Sequence, residues 1–388
     1  MLEEFSYSTL ESDYNQFRDP IVQIFVNGID MRENKGGVSI SDVLVELTCG
    51  FEAGQASYSL YDCYNYSTTK FEFKKISNFV ALGSQVKVAL GYGNVTREVF
   101  RGIIVRVEFV VEDGEAPHVR VSAMDVKSIM MANHYHKRLT AQNYSGAIKE
   151  IFTQEVYMSM KGPTGVISDL SIGDTPDVFD VPNGTDSPDT IEMVGESDYE
   201  FIVRTAKKYN FEFFCVGGSV YFRSARADTS TLISLSNSTK VFGLNVAYDV
   251  TGLVSKVVVR GLDAGKAKVI TGQSTNTNKI SGKPMARSLI SGSEYVYIDP
   301  TVTAISEAQR RSWYLSDNMA YRFGSLDMEI MGLPEIIPGR FINICDFGST
   351  VSNEFYVTTV QHKMATTGRY TTRILGKAQK LALDLPGL

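Results

Sequence analysis

The chain has 388 residues, 43% hydrophobic and 21% charged, with a formal net charge of −6, enough for two or three domains with real cores and too apolar for wholesale disorder. The acidic balance and dispersed basic residues argue against sequence-reading nucleic-acid recognition. No apolar run approaches the roughly 18 residues of a membrane span, and the N-terminus lacks the basic-then-apolar layout of a signal peptide, so synthesis in the cytoplasm is expected.

Twenty Tyr and 21 Phe against a single Trp, together with many Val, Ile and Thr, lean towards β structure. The four cysteines (Cys49, Cys63, Cys215, Cys345) are scattered without a CxxC pair and read as reduced thiols used as small core residues. Residues 21–124 form a series of alternating segments. Ile21–Val26 meets the turn Asn27-Gly28, and Val38–Thr48, Ala56–Tyr61 and Gln85–Leu90 follow. In Val99–Val111, alternation predicts that Ile103, Val105, Val107, Phe109 and Val111 share one face. Pro117–Ala123 returns across a turn. Strands at this spacing, without intervening helices, predict a barrel or sandwich.

The middle is mixed. Asn143–Thr153 reads as a helix capped by Asn143 or Ser145, with Ala147, Ile148, Ile151 and Phe152 on one face. Residues 158–190 lose periodicity and read as a long loop or poorly paired edge. Then comes Glu196–Ala225, the best-defined local unit of the chain. Ser197 followed three residues later by Glu200 is a capping box. Phe201, Ile202, Thr205, Ala206 and Tyr209 repeat at helical spacing, and Asn210 suits the left-handed residue that ends the helix. Phe211–Val216 and Ser219–Arg223 then form a hairpin on the two-residue turn Gly217-Gly218.

The last third returns to strands at Lys240–Ala247 and Leu253–Arg260, followed by a polar, Gly- and Ser-rich excursion at 261–293 that reads as a mobile loop or extended hairpin. A second helix is expected with Ser306 and Gln309 as its capping box and Ala308, Ser312, Leu315 and Met319 as its stripe. Strands Ser325–Met331, Arg340–Cys345, Glu354–Met364 and Tyr370–Gly376 close the chain, with Pro338-Gly339 among the turns between them.

Little in this pattern points to catalysis. His134 and His136 form an HxH pair, but a zinc site needs a third ligand, and only His118 and His362 remain among the histidines. There is no nucleophile elbow. The run Gly261–Lys266 is one residue short of a P-loop, with Ala267 where Ser or Thr would hold magnesium. Glu200 is explained as a cap, and Asp198 as favourable charge at a helix N-terminus. No catalytic residue, cofactor or metal is therefore assigned.

Three regions, in order, carry a resemblance. Ser197-Asp198-Tyr199-Glu200-Phe201, then Gly217-Gly218, then Tyr221-Phe222-Arg223 resemble a Ser/Ala-Asp-Trp/Tyr-x-Phe helix start leading into a Gly-turn hairpin. Glu307-Ala308-Gln309-Arg310, Gly324–Met331, Pro338-Gly339 with Arg340–Cys345, Phe355–Met364 and Tyr370–Leu375 resemble that family's final segment. Val26-Asn27-Gly28, Leu82-Gly83, Phe100–Ile103 and Ala123-Met124-Asp125 fit more loosely. The family is that of the phage late control D proteins, the hubs of contractile tails, similar to the hub part of type VI secretion spike proteins. Tyr199 replaces the commoner Trp, and the excursions at 158–190 and 261–293 are unmatched.

The resemblance implies a mainly β (α+β) fold. It has a first tube-like barrel over 1–130, a mixed α/β domain over 131–235 and a second barrel with one helix over 236–388, with strands open to exchange between domains. It implies a structural, non-enzymatic homotrimer in the baseplate of a phage tail or tail-like particle, adapting a sixfold tail tube above to a threefold spike below. The chain stops at Leu388, soon after the second expected barrel, so the spike is expected as a separate protein. Baseplate wedge proteins and the end of a tape measure protein are the further partners implied. The competing classes are a tail-associated cell-wall hydrolase and a receptor-binding β protein of the tail.

Overall fold

The computed structural model describes residues 4–33, 37–177, 191–263, 267–276, 290–349 and 351–380. Helix α1 (Tyr7–Asp13) precedes strands β1 (Pro20–Val26), β2 (Ile29–Asp30), β3 (Ser39–Thr48), β4 (Gln55–Tyr61), β5 (Tyr64–Asn65) and β6 (Lys70–Phe71). Helix α2 (Phe73–Ile76) leads into β7 (Gln85–Tyr92), β8 (Val95–Val110) and β9 (His118–Met124). The middle holds α3 (Lys127–Met130), β10 (Tyr135–Leu139), α4 (Tyr144–Ile151), α5 (Glu155–Met158), β11 (Asp169–Ile172), β12 (Ile191–Glu196), α6 (Asp198–Tyr209), β13 (Phe211–Val216) and β14 (Ser219–Ser224). The last part holds β15 (Thr231–Leu235), β16 (Val241–Tyr248), β17 (Lys256–Asp263), β18 (Lys268–Thr275), β19 (Glu294–Ile298) and α7 (Ile305–Ala320). It ends with β20 (Gly324–Met331), β21 (Phe341–Ile344), β22 (Asn353–Met364) and β23 (Tyr370–Ala378).

The fold is mainly β, as expected. A 13-stranded sheet runs β16-β20-β23-β22-β3-β4-β9-β8-β7-β1-β2, with β21 joined to β22 and β15 to β21. The first and last thirds of the chain meet where β3 pairs antiparallel with β22, from Val43 opposite Met364 to Thr48 opposite Thr359. Val43, Val45 and Leu47 point to one side of this seam with Met364, His362 and Val360, and all six are buried. The other side is polar: Gln361 Nε2 donates to Glu46 Oε2 at 2.6 Å. Burying a Val or Leu stabilises by about 1.5–3 kcal/mol, and a one-residue slip would turn these side chains to water. A single hydrophobic core, from Leu10 to Ala378, draws on both β parts. A second core lies under the mixed region and contains Ile148, Phe201, Ile202, Phe213 and Phe222.

Turn chemistry is where the chain says it is. Asn27 and Gly28 both have positive φ, and they join Val26 to Ile29 as a two-residue hairpin. Asn143 caps α4 by accepting from the Gly146 N–H. Strand β8 departs from the expected alternation. Its register against β9 skips from Ile104–Ala123 to Arg106–Ser122, so Val105 is an extra residue, a β-bulge. Ile104, Val107 and Phe109 therefore lie opposite Ala123, Val121 and Val119, Ile103 joins the second core, and Val105 is exposed.

Helix α7 also differs at its start. Ala304 stands at the N-cap without a side-chain hydrogen bond, so Ser306 and Gln309 form no capping box. Glu307 instead accepts from the Thr303 N–H at 3.1 Å, and Gln309 Nε2 donates to the Gln273 carbonyl of β18 at 2.7 Å. A tertiary contact has taken the residue that a local cap would use. Part of 158–190 is paired, because β11 runs parallel to β14; residues 178–190 lie outside the described residues. The excursion at 261–293 begins as an extended hairpin, with Asp263 opposite Lys268, while 264–266 and 277–289 lie outside the described residues.

His362 sits in the seam opposite Val45 with no exposed surface. Its Nδ1 lies 3.0 Å from Tyr370 Oη and 3.1 Å from Thr372 Oγ1. Burial pushes its pKa down to about 4, against a smaller opposing contribution from the Ile336 backbone. An ordinary imidazole in the unfolded chain titrates near 6.5, so the unfolded state takes up the proton first as pH falls. Stability is full above about pH 6.5 and declines by roughly 3 kcal/mol down to about pH 4. Urea unfolding across this range should show a His362→Gln variant lacking that part of the decline. Equal pH dependence in both proteins would contradict a buried neutral imidazole.

Candidate functional site

The residues singled out in the sequence converge on the junction between the mixed region and the two β parts. Ser197, in extended conformation, accepts from the Glu200 N–H at 3.1 Å, and Glu200 Oε2 accepts from the Ser197 N–H at 2.8 Å, closing the capping box. Donation from the Ser197 N–H, and then from the Ser197 hydroxyl at 2.9 Å, holds the exposed Glu200 carboxyl below its usual range. Asn210 ends the helix with φ 57° and ψ 47°. Phe201 is fully buried, its ring centroid 6.0 Å from that of Tyr144. Tyr199 Oη donates to the Phe51 carbonyl at 3.0 Å, tying the helix start to the loop after β3.

Asp198 does more than complement a helix dipole. It is fully buried, and Tyr157 Oη donates to its Oδ2 at 2.5 Å while Tyr135 Oη donates to Oδ1. Burial first, then donation to this carboxylate, pushes both phenols above their ordinary range. One carboxylate thus binds β10 and α5 to the start of α6.

The hairpin carries a second polar cluster. Gly217 and Gly218 have φ of 54° and 80°, as a type I′ turn requires. A Cβ on Gly218 would fall 2.7 Å from Arg101 Cδ, so the turn is also pressed against β8. From this turn the register places Glu212 opposite Arg223. Glu212 Oε1 accepts from Tyr356 Oη of β22 at 2.5 Å, its other oxygen lies 3.5 Å from Arg223 Nε, and burial raises its pKa. Arg223 Nη2 donates to the Gly339 carbonyl at 2.5 Å, and its guanidinium lies 5.1 Å from the Phe214 ring centroid. Gly339 has φ 81°, and a Cβ there would meet Arg223 Nη2 and Phe214 Cζ, each at 2.7 Å. Pro338-Gly339 is therefore the surface on which the hairpin seats. Beside it, Arg226 bonds Asp317 of α7, and Arg340 Nε lies 2.8 Å from Asp228 Oδ2.

Lys127, with no exposed surface, was not singled out by sequence. Its Nζ donates to the carbonyls of Gly50, Phe51 and Glu52 at 3.4, 3.3 and 2.7 Å. Nothing local marks it, because its acceptors are backbone atoms some 75 residues away in sequence. Glu212 was also missed, yet a charge inside the apolar run FEFF, counted out from the Gly217-Gly218 turn, falls opposite Arg223.

The groups with chemical potential are elsewhere and apart. His134 is exposed and 3.4 Å from Glu200, and His136 is exposed as well. His118 is buried against the Ala116 carbonyl. Among the described residues, no three His, Cys, Asp or Glu side chains gather to hold a metal ion. Burial pushes the Cys49 thiol up to about 12 and raises those of Cys63 and Cys215, which suppresses the thiolate needed for attack. No helix among the described residues is long and apolar enough to cross a membrane. The junction is built to hold three parts of one chain in register.

No protein-family model and no curated protein matches the sequence. Solved structures do share the fold. A tail protein from Neisseria meningitidis superposes with a TM-score of 0.64 at 10% identity, covering 93% of this chain and 97% of that one. The 43 kDa tail protein of prophage MuSo2 from Shewanella oneidensis gives 0.65 at 13% identity, covering 92% and 98%. An E. coli component of the type VI secretion system, itself described as similar to bacteriophage T4 tail proteins, gives 0.54 at 10% identity over 91% and 76%. The fold is that of phage tail proteins.

Two substitutions test the junction. Arg223→Met leaves the Glu212 carboxylate buried without its cation and should cost roughly 3–5 kcal/mol in urea unfolding. Adding Glu212→Gln should recover part of that loss; additive losses would show that the two side chains are not coupled. Phe201→Asp places a charge in the second core and should abolish folding or assembly, read by circular dichroism and particle mass. Soluble, normally assembled Phe201→Asp protein would make the unit peripheral.

Proposed function

We propose that the chain is a structural baseplate hub of a contractile injection particle: a phage tail, a tail-like bacteriocin or a relative. In this reading three copies close a ring that adapts a sixfold tail tube to a threefold spike. The observation that carries it is the fold shared, over about nine-tenths of the chain, with two phage tail proteins and a type VI secretion component. The physical logic is that symmetry adaptation needs two similar but unequal surfaces per chain, each self-consistent around the ring. The β parts over 1–130 and 236–388 are the proposed tube-like barrels, and 131–235 is the brace between them.

The role is non-enzymatic. Glu200 serves as a helix cap, Asp198 as an acceptor for two tyrosines and Glu212 as an acceptor at the hairpin seat, all of which favours scaffold over catalysis. Ser197–Phe201, Gly217-Gly218 and Pro338-Gly339 are proposed as the geometry-setting residues. The chain is made in the bacterial cytoplasm and assembled into the baseplate. A tube protein lies above it, a separate spike protein below and wedge proteins around it, with the end of a tape measure protein in the lumen. Native mass spectrometry of the folded, purified chain should find a particle of three copies. A strictly monomeric particle would sink the ring.

A further inference from the structure

Helices α6 and α7 bring five cations together around one cleft. The outer side of α6 carries Arg204, Lys207 and Lys208, and α7 adds Arg310 and Arg311. Two bonds fix the helices to each other there: Arg311 Nη1 donates to the Lys207 carbonyl, and Asn318 Nδ2 donates to Asn210 Oδ1 at 2.6 Å. Between α6, the loop after β3 and the end of β19 opens a cleft of about 760 Å³, whose lining includes Phe51, Tyr144, Tyr199, Lys207, Lys208 and Arg311. Arg310 lines the adjoining hollow with Lys208, Tyr209 and Arg311.

Some of these charges are already matched. Arg204 pairs with Glu196 at 2.7 Å, and Arg311 lies 3.4 Å from Asp299. Of the carboxylates in the cleft wall, Glu200 is held by the Ser197 N–H and Asp299 by the Thr301 N–H, which leaves Glu52. Among the described residues Lys207 and Lys208 form no ion pair; their ammonium groups lie over rings instead, 5.4 Å from the Phe51 centroid and 5.3 Å from that of Tyr144. Ammonium groups without carboxylates, set among tyrosines, suit an acidic segment that also carries apolar side chains.

The turn between β8 and β9 is such a segment. Glu112, Asp113 and Glu115 are exposed there, and among the described residues none of them forms an ion pair. Phe109 and Val111 beside them are 49% and 59% exposed. Gly114, with φ 84°, and the bond from the Glu115 N–H to the Glu112 carbonyl shape the turn. From it β9 runs to Met124, and Lys127 just beyond bonds the carbonyls of Phe51 and Glu52 in the cleft wall. Seven extended residues put the turn roughly 20 Å from that wall, too far for a copy to fill its own cleft. We propose, taking the ring of copies from the hub reading, that the cleft receives the β8–β9 turn (residues 111–116) of the neighbouring copy in a head-to-tail contact. Contacts of this kind close into a ring when the rotation between copies allows. In a chain of net charge −6, the contact places attraction at one relative orientation while copies otherwise repel.

Sedimentation of the full chain across a concentration series, with circular dichroism as the folding control, tests the contact by exchanging charges. Lys207→Glu with Lys208→Glu, and separately Glu112→Lys with Asp113→Lys, should each raise the concentration needed for the three-copy particle by roughly 10- to 100-fold. Combining all four substitutions should restore assembly. If the lysine pair unfolds the chain, the turn pair, which alters only exposed residues, decides alone. Three-copy particles that ignore both pairs, or that the combination fails to recover, would overturn the contact and leave the hub ring standing. Loss confined to one folded pair would overturn it too, because both sides of one contact must matter. An unaltered chain that stays monomeric throughout would overturn ring and contact together.

Discussion

The structure depends on one pairing, that of β3 with β22. Strands more than 300 residues apart in sequence exchange backbone hydrogen bonds there and turn Val43, Val45 and Leu47 inward beside Met364, His362 and Val360. Without the seam, each β part would expose an edge and half of a core. With it, the sheet is continuous from β16 to β2, and the two ends of the chain belong to one hydrophobic interior. Closing so long a loop is entropically costly but only weakly dependent on length, and the buried apolar area offsets it.

The mixed region acts on this seam from outside. Its helix is fixed to the loop after β3 through Tyr199 and Phe51, and the ammonium of Lys127 donates to three carbonyls of the same loop. Its hairpin reaches β22 through Glu212 and Tyr356, and the turn before β21 through Arg223 and Gly339. The helix–hairpin unit therefore touches both partners of the seam. Buried ion pairs of this sort add little net stability over apolar replacements, but a misplaced partner leaves a charge unsolvated. That penalty makes the Glu212–Arg223–Tyr356 arrangement a device for one docking geometry of hairpin on sheet. Residues 5–17 join the main core through Leu10, Tyr14 and Phe17, and Lys240 Nζ bonds the Gln16 carbonyl beside them.

Local chemistry was legible wherever its determinants are neighbours in sequence. The capping box of Ser197 and Glu200, the left-handed Asn210 and the turns at Asn27-Gly28 and Gly217-Gly218 need only residues within a few positions of one another. What escaped was set at a distance. The bulge at Val105 exists because β8 must serve two cores, so its alternation changes partway along the strand. Gln309 gives up a helix cap for a bond to β18. Asp198, read as a helix-dipole charge, is buried by Tyr135 and Tyr157, which lie dozens of residues away.

By itself, then, the amino-acid sequence determined a mainly β chain, the position of its one well-marked helix–hairpin unit and the turns that set hairpin registers. Periodicity and turn stereochemistry act over a handful of residues, which makes them readable. Tertiary structure alone decided that β3 pairs with β22, that Arg223 seats on Gly339, and that Phe5 bridges Ile233 of β15. Each of these is a contact between surfaces whose complementarity exists only after both have folded, so no short window of residues contains it.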